Sequence, residues 1–510
     1  MIILLLFQTF GFKHFIYIRY IGLFFASSVK NSRMNVEELV QKLKSDFCNS
    51  FDLILLKRSI GNKECLYAYF DGSTDKELLE RGVIAELFSK ENAENTDIDF
   101  IDKNISSSGS VETLADLDSA ENTLVEGKVV LFVDNAFFGI DLRKYEKRSI
   151  TEPPTSSVLK GPRTGFVEDI STNVSLIRRR IKNKDLAIQH FSVGKYTGTD
   201  VAVCWITSIT NEDIVKTVTE RISKIDIDGI IDSSYIAMLI EDNKSSLFSQ
   251  TASQEKPDIV ASKLLEGRVA IVVDGSPMVL TLPCMLIESF QDSEDYYRRN
   301  RRTSFVRILR FLGLLLSILL PAGYVAVQEY QYQFLPLKFM VTIINATNGT
   351  PFTPTYEMFL VLIIFDILNE ASIRMPRFVG MALSIVGAIV LGETAVQAGL
   401  LSSPAVLVMA LSSIGMYTTP TNMGTFSLIR LLFLAFSSLF GMLGLIIACI
   451  VFVSSICSLK SFGIDFTAPY APVIKNDLQD GFLKKSINDT EFRPRAFRTH
   501  NLRKKGKNDE

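Results

Sequence analysis

Six arginines, Arg298, Arg299, Arg301, Arg302, Arg307 and Arg310, crowd the stretch YYRRNRRTSFVRILR and stand directly against the apolar run FLGLLLSILLPAGYVAV. Bases gathered at the edge of a spanning run stay on the cytoplasmic side, so this junction sets both a boundary and a direction. The overall balance, 47% hydrophobic residues and a net charge of -2, hides that division. Charges lie mostly before residue 311 and apolar runs mostly after it.

Before the boundary the chain repeats itself. EGKVVLFVDN (Glu126 to Asn135) and EGRVAIVVDG (Glu266 to Gly275) are each a Gly-led turn running into a Val/Ile-rich strand that ends in Asp. Upstream, the stretches from Asp52 and from Asp185 share an apolar strand, a Gly-containing turn, a second strand and a polar turn opening a helix. Ser73 to Glu77 and Thr210 to Asp213 supply the hydroxyls and acids that cap such helices. The expected architecture is therefore an α/β cytosolic region of two related modules followed by an all-α polytopic membrane domain. Its parts are 1–33, an apolar extension; 34–145, module 1; 146–184, a linker and basic helix; 185–300, module 2; 305–460, the membrane domain; and 461–510, a basic cytoplasmic tail.

The linker ends in a helix carrying Arg178, Arg179 and Arg180, either a solvated face or a contact surface for modules, subunits or lipid headgroups. Catalytic signals are lacking. The soluble part contains no phosphate-binding GxxxxGK[ST] loop, and His14, His190 and His500 are too scattered for a metal site or a triad. Asp134 and Asp274 at strand ends are turn formers before they are catalysts. No enzyme, metal, cofactor or nucleic-acid partner is expected. Cys48, Cys65, Cys204, Cys284, Cys449 and Cys457 form no CxxC pair, which suits a reducing compartment.

The first 33 residues are apolar and acid-free but broken by Lys13 and Arg19. Met34, opening MNVEELVQKLKSDF, reads as the natural start; the alternative is an extra membrane anchor.

After the boundary, Tyr356 to about Ala371 is marginally long enough to cross, and Arg374 and Arg377 favour a return to the cytoplasm. FVGMALSIVGAIVLGETAVQAGLL crosses again, with Gly380, Ser384, Gly387 and Gly392 allowing close helix packing. PAVLVMALSSIGMYTTP is short and reads as re-entrant, and Leu428 to Leu459 crosses with tilt. The basic tail favours a cytoplasmic C-terminus, so the crossings are even in number: four spans and one re-entrant segment.

Within this apolar half, FDILNEASIRMP carries Asp366, Glu370 and Arg374. A charge at the centre of a lone spanning helix costs about 2.5–3.5 kcal/mol, so these groups need partners or water. Asp366 and Glu370 share a helix face, and Glu370 precedes Arg374 in the favourable order for an ion pair. One reading leaves Glu370 and Arg374 as an interfacial pair; the other has the face lining water or another subunit, where repeated carboxylates favour cations. Glu357, and Glu393 with Gln397, are further polar groups on the same candidate path. Three functions stay open: a cation channel subunit, a scaffold that relays a signal, and a secondary transporter.

Several motifs between about Met34 and Pro472 resemble the A subunits of spore germinant receptors, the GerA family of endospore-forming bacteria. They are GPRTGFVEDISTNVSLIRRRIK, EGRVAIVVDGSPMVLTLP followed by FQDSEDYY, PFTPTYEMFLVLIIFDILNEASIRMP, VGMALSIVGAIVLGETAVQAGLLSSP and SFGIDFTAPYAP. Glu357, Asp366, Glu370, Arg374, Pro376, Gly387 and Gly392 fall on matching positions. Asp366 stands where the family usually has Glu, Asn369 where it has Arg, Ser372 where it has Gly and Asp465 where it has Pro. The resemblance implies a subunit of the inner spore membrane that works with a transporter-like, nutrient-binding B subunit and a lipoprotein C subunit. It also implies self-association, expected as a pentamer, around a pore that nutrient opens to release cations.

Overall fold

The computed structural model describes residues 35–60, 63–85, 87, 110–144, 160–375, 379–380, 387 and 389–505. The extension 1–33, Met34, the Pro/Ser linker before Lys160, Pro376, Arg377 and Ser384 lie outside the described residues. The chain divides into two units, residues 1–145 with 182–184 and residues 146–181 with 185–510.

In the first unit, helix α1 (Val36–Asp46) precedes an antiparallel hairpin, β1 (Leu53–Ile60) and β2 (Lys63–Phe70). β3 (Val111–Leu114), helix α2 (Leu117–Val125), β4 (Val129–Val133) and β5 (Ala136–Ile140) follow. They complete an antiparallel sheet in the order β1-β2-β4-β5-β3. The central strands are apolar on both faces because both are covered, and successive side chains point opposite ways. Tyr67, Leu131 and Val133 pack on Leu79 and Val83, while Leu66, Val130 and Phe132 pack on Leu39, Leu43 and Leu124.

The second unit contains a sheet with the same order, β6-β7-β9-β10-β8. Its strands are β6 (Leu186–Val193), β7 (Thr199–Ile206), β8 (Ala252–Gln254), β9 (Val269–Val273) and β10 (Val279–Leu282). Helix α3 (Ile170–Arg180) covers one face through Ile170, Val174 and Ile177. On the other face lie α4 (Glu212–Ser223), through Ile214 and Val218, and α5 (Ser233–Ile240), through Ile236 and Ile240. Helix α6 (Pro257–Leu265) joins α3 through Val260 and Leu264. The helix assigned from sequence to the 146–184 linker is thus a core element, held by its apolar stripe rather than its basic end.

The two Gly-led strings occupy equivalent corners. Gly127 and Gly267, with φ of 86° and 93°, end α2 and α6. Each donates its N–H to the carbonyl three residues back, and the next residue donates to the carbonyl five back. This left-handed helix stop needs a residue without Cβ before the chain can turn into β4 or β9. Capping falls on an acid in the first stretch, as expected, and on an asparagine in the second, with no hydroxyl used. The Asp75 carboxylate accepts from Glu77 and Leu78 N–H, and the Asn211 side-chain oxygen accepts from Asp213 N–H at 3.0 Å. Asp134 does form a turn, at φ 50°, and Asp274 accepts from Ile170 N–H at 3.1 Å, fixing the start of α3.

Beyond the second sheet come apolar helices: α7 (Asn300–Glu329), α8 (Leu337–Thr347), α9 (Pro354–Arg374), α10 (Ser403–Met416) and α11 (Met423–Ser458). Sequence reading did not anticipate α8. Two helices among the described residues, Asn300–Glu329 and Pro420–Ser458, are long and apolar enough to cross a membrane.

The second of these does not run straight. Gly441 sits at φ 61°, ψ -137° inside α11. On a straight helix Phe426 and Phe452 would be about 39 Å apart. Instead both rings lie against Phe248, at centroid distances of 5.7 and 6.4 Å, and Phe433 meets Phe452 edge to face at 5.7 Å. The chain therefore reverses at Gly441 into an antiparallel pair. This corrects the expectation of one tilted crossing over Leu428 to Leu459. The turn packs on the end of α7, where the Tyr330 hydroxyl donates to the Ser438 carbonyl and Met442 N–H donates to Gln331 Oε1.

After α11 the chain returns to the second sheet. Ser461 Oγ donates to the Gln250 carbonyl at 2.7 Å and accepts from Cys284 N–H at 2.9 Å. Phe497 is fully buried beneath the Arg268 guanidinium, 4.5 Å away. The segment expected as a basic tail is folded through residue 505, and it shares a core with Leu314 and Ile318 of α7 and Phe426 of α11.

Candidate functional site

Helix α9 organises the polar groups of the helical part. Pro354 opens it, and the Glu329 carboxylate accepts from Thr355 N–H at 2.8 Å and Thr355 Oγ1 at 2.7 Å, satisfying a donor that the first turn leaves unpaired. One turn on, Glu357 is buried, 1% exposed. Its carboxylate accepts from Ser402 N–H and, at 3.1 Å, from Ser402 Oγ, so this acid is spent on the N-terminus of α10.

Asp366 meets a base that sequence reading missed. Arg430 of α11, 2% exposed, donates through Nη2 to Asp366 Oδ1 at 2.7 Å. Ser427 Oγ donates to the other Asp366 oxygen at 2.6 Å. Arg430 Nη1 donates to Ser412 Oγ at 3.0 Å, and that hydroxyl donates to the Ser317 carbonyl at 2.7 Å. One guanidinium thus ties α9, α10, α11 and α7 together. A buried charge is tolerable only when paired and hydrogen-bonded in this way. A lone Arg in an apolar run is itself a signal, since such residues face a partner or water.

The remaining site residues are distributed differently. Glu370 and Arg374 form the expected i,i+4 pair at 2.6 Å, but both side chains are mostly exposed. Glu393 accepts from Gln397 Nε2 at 3.2 Å, also at an exposed position. Arg178 is buried, whereas Arg179 and Arg180 are exposed and Arg180 donates to Thr164 Oγ1 at 2.9 Å. Asn369, one of the four departures from the family pattern, donates to Met423 Sδ at 3.1 Å.

A cavity of about 660 Å³ opens beside the pair, lined by Asp366, Asn369, Glu370, Tyr417, Ser427 and Arg430 among others. The structure brings Asp366 and Glu370 to this cavity and keeps Glu357 apart from it. Among the described residues no group of three or more His, Cys, Asp or Glu side chains could hold a metal.

A two-sheet α/β region is followed in the chain by apolar helices that enclose an ion pair, two of them long and apolar enough to cross a membrane. Comparison with known proteins narrows that class. The profile described as "Bacillus/Clostridium GerA spore germination protein" matches residues 41–496. Spore germination protein KA of Bacillus subtilis is 36% identical over 476 residues, covering 92% of this chain and 88% of that protein. The uncharacterized membrane protein YfkQ of the same organism is 32% identical over 485 residues, covering 94% of each. The crystal structure of the N-terminal domain of the A subunit of the Bacillus megaterium germinant receptor GerK3 covers 50% of this chain and 96% of its own, at 29% identity and a TM-score of 0.40. The chain belongs to the GerA family of spore germination proteins, and that membership supports a role in spore germination.

Proposed function

We propose that this chain is a membrane subunit of a nutrient-sensing spore germination receptor, partnered by a transporter-like B subunit and a lipoprotein C subunit. Copies of it assemble, with a pentamer as the expected number, into a cation channel of the inner spore membrane that nutrient opens. The α/β region and C-terminal segment are cytoplasmic and the helical part crosses the membrane several times. The role is conducting, not enzymatic.

The observation that supports conduction is the exposed face of α9. Tyr356, Leu360, Ile363 and Ile367 are all exposed at spacings of three or four residues, and the stripe runs into Glu370 and Arg374. Such a face ends in charges that lipid disfavours and that water or another copy accepts. In spores carrying Glu370→Gln, germinant-triggered potassium release is expected to slow several-fold at unchanged protein abundance. Release at the wild-type rate would retire this face as an ion path.

The Asp366–Arg430 pair favours a second reading, a non-conducting scaffold that relays nutrient binding, because Asp366 is already neutralised. Purified subunit in liposomes that passes no ions, even with a gate-loosening substitution, would support that alternative.

A further inference from the structure

The folded C-terminal segment closes a cavity of about 350 Å³ against the turn between α6 and β9 and the stretch preceding α7. That volume lies within the range of small-molecule sites. Its charge is unbalanced. Glu266 is held by Arg268 Nη2 at 3.2 Å. Asp477 accepts from the backbone N–H groups of Arg495 and Ala496, each at 2.8 Å. Asp480 takes Arg307 Nη1 at 2.9 Å and the Tyr296 hydroxyl at 2.8 Å. All three lining acids are thus committed to groups already in the protein.

The lysines are not balanced in the same way. Lys484 and Lys485 reach the cavity from one arm of the segment, Lys504 and Lys505 from the other. Lys484 Nζ donates to the Asp295 carbonyl at 2.7 Å and Lys505 Nζ to the Asn488 carbonyl at 3.2 Å. No ion pair joins any of the four to a carboxylate among the described residues. Deeper in, Arg268, 4% exposed, lines the same cavity and adds its positive charge to that of the lysines. Burial also lowers the pKa of the Lys484 ammonium from its ordinary value, and an anion beside it would raise it again.

We propose that this cavity binds a small phosphate-bearing anion, gripped by Lys484, Lys485, Lys504 and Lys505. The chemistry is shared by a soluble phosphorylated compound and by the headgroup of an anionic phospholipid. The second source is reachable because Tyr296, which lines the cavity, shortly precedes α7.

The test uses the purified full-length chain in detergent, with inorganic pyrophosphate titrated while thermal unfolding is followed. A parallel arm measures binding to phosphatidylcholine vesicles with and without phosphatidylglycerol. A saturable rise in melting temperature is expected, and the Lys485→Gln/Lys504→Gln variant is expected to weaken it about tenfold per lysine. Pyrophosphate binding that phosphatidylglycerol does not compete with identifies a soluble ligand; loss of vesicle binding in the variant, with competition by pyrophosphate, identifies the headgroup. Either result supports the site. A control, Lys216→Gln/Lys224→Gln at exposed positions of α4 and its C-cap, should leave both readouts unchanged. No saturable response in either arm, or an equal loss in the control, overturns the proposal.

Discussion

Arg430 and Asp366, 2.7 Å apart and contributed by different helices, form an ion pair that holds the helical part together through one guanidinium. Arg430 is almost wholly enclosed while Asp366 keeps a third of its side chain exposed, so the two partners should not respond equally to mutation.

Removing Asp366 leaves the enclosed cation unpaired, and Asp366→Ala is expected to destabilise the protein by about 3 kcal/mol, more than Arg430→Gln, which leaves an acid with access to water. A double-mutant cycle read by thermal unfolding in detergent should give a coupling of about 1–3 kcal/mol. Additive effects would mean that the pair carries no interaction energy.

Gly441→Ala should open the hairpin of α11. The backbone there is at φ 61°, and an added Cβ would lie 2.8 Å from Tyr330 Cβ. The left-handed strain alone costs about 1–3 kcal/mol, and the clash adds to it. Cysteines replacing Phe433 and Phe452 should be joined by a short bis-maleimide in the otherwise native chain and much less in the Gly441→Ala background. Failure to join in the native background would mean that the helix runs straight.

Glu357→Ala strips the carboxylate from Ser402 N–H and leaves a buried donor unpaired, at a cost of about 2–3 kcal/mol. Glu357→Gln keeps an acceptor and should cost clearly less. Equal melting temperatures for the two variants would assign Glu357 to simple space filling.

Glu288 gives the second sheet an acid-sensitive lock. Burial alone would raise its carboxyl, but Arg268 at 2.5 Å and Lys263 at 2.6 Å outweigh that and hold it down to about 2 from an ordinary 4.5. A lowered folded-state value means that the stabilisation is complete above the ordinary value and disappears as pH falls through the folded one. The difference amounts to about 3 kcal/mol between pH near 5 and pH near 2. Unfolding measured across that window should lose this dependence in Glu288→Gln, and an unchanged slope would place the acid sensitivity elsewhere.

What local sequence can encode was legible. The Gly-led strings ending in Asp134 and Asp274 announced two strand-forming corners, because a helix stop at positive φ and a run of β-branched residues are both short-range facts. The Glu370–Arg374 pair was readable for the same reason, since its members are one helical turn apart. The basic end of α3 drew attention to Arg178, Arg179 and Arg180, yet burial of Ile170, Val174 and Ile177 decides where that helix sits.

The sequence by itself determined the repeated strand corners, the apolar character of the second half and, through its motifs, the family. Only the tertiary structure decided that Asp366 belongs to Arg430, that Glu357 belongs to Ser402, that the run through Gly441 turns back on itself and that the lysine-rich C-terminus folds over a cavity. The reason is range. Periodicity and capping act within a few residues, whereas the partner of a buried charge is chosen by which helices pack together, and composition alone does not distinguish one long apolar helix from two short ones.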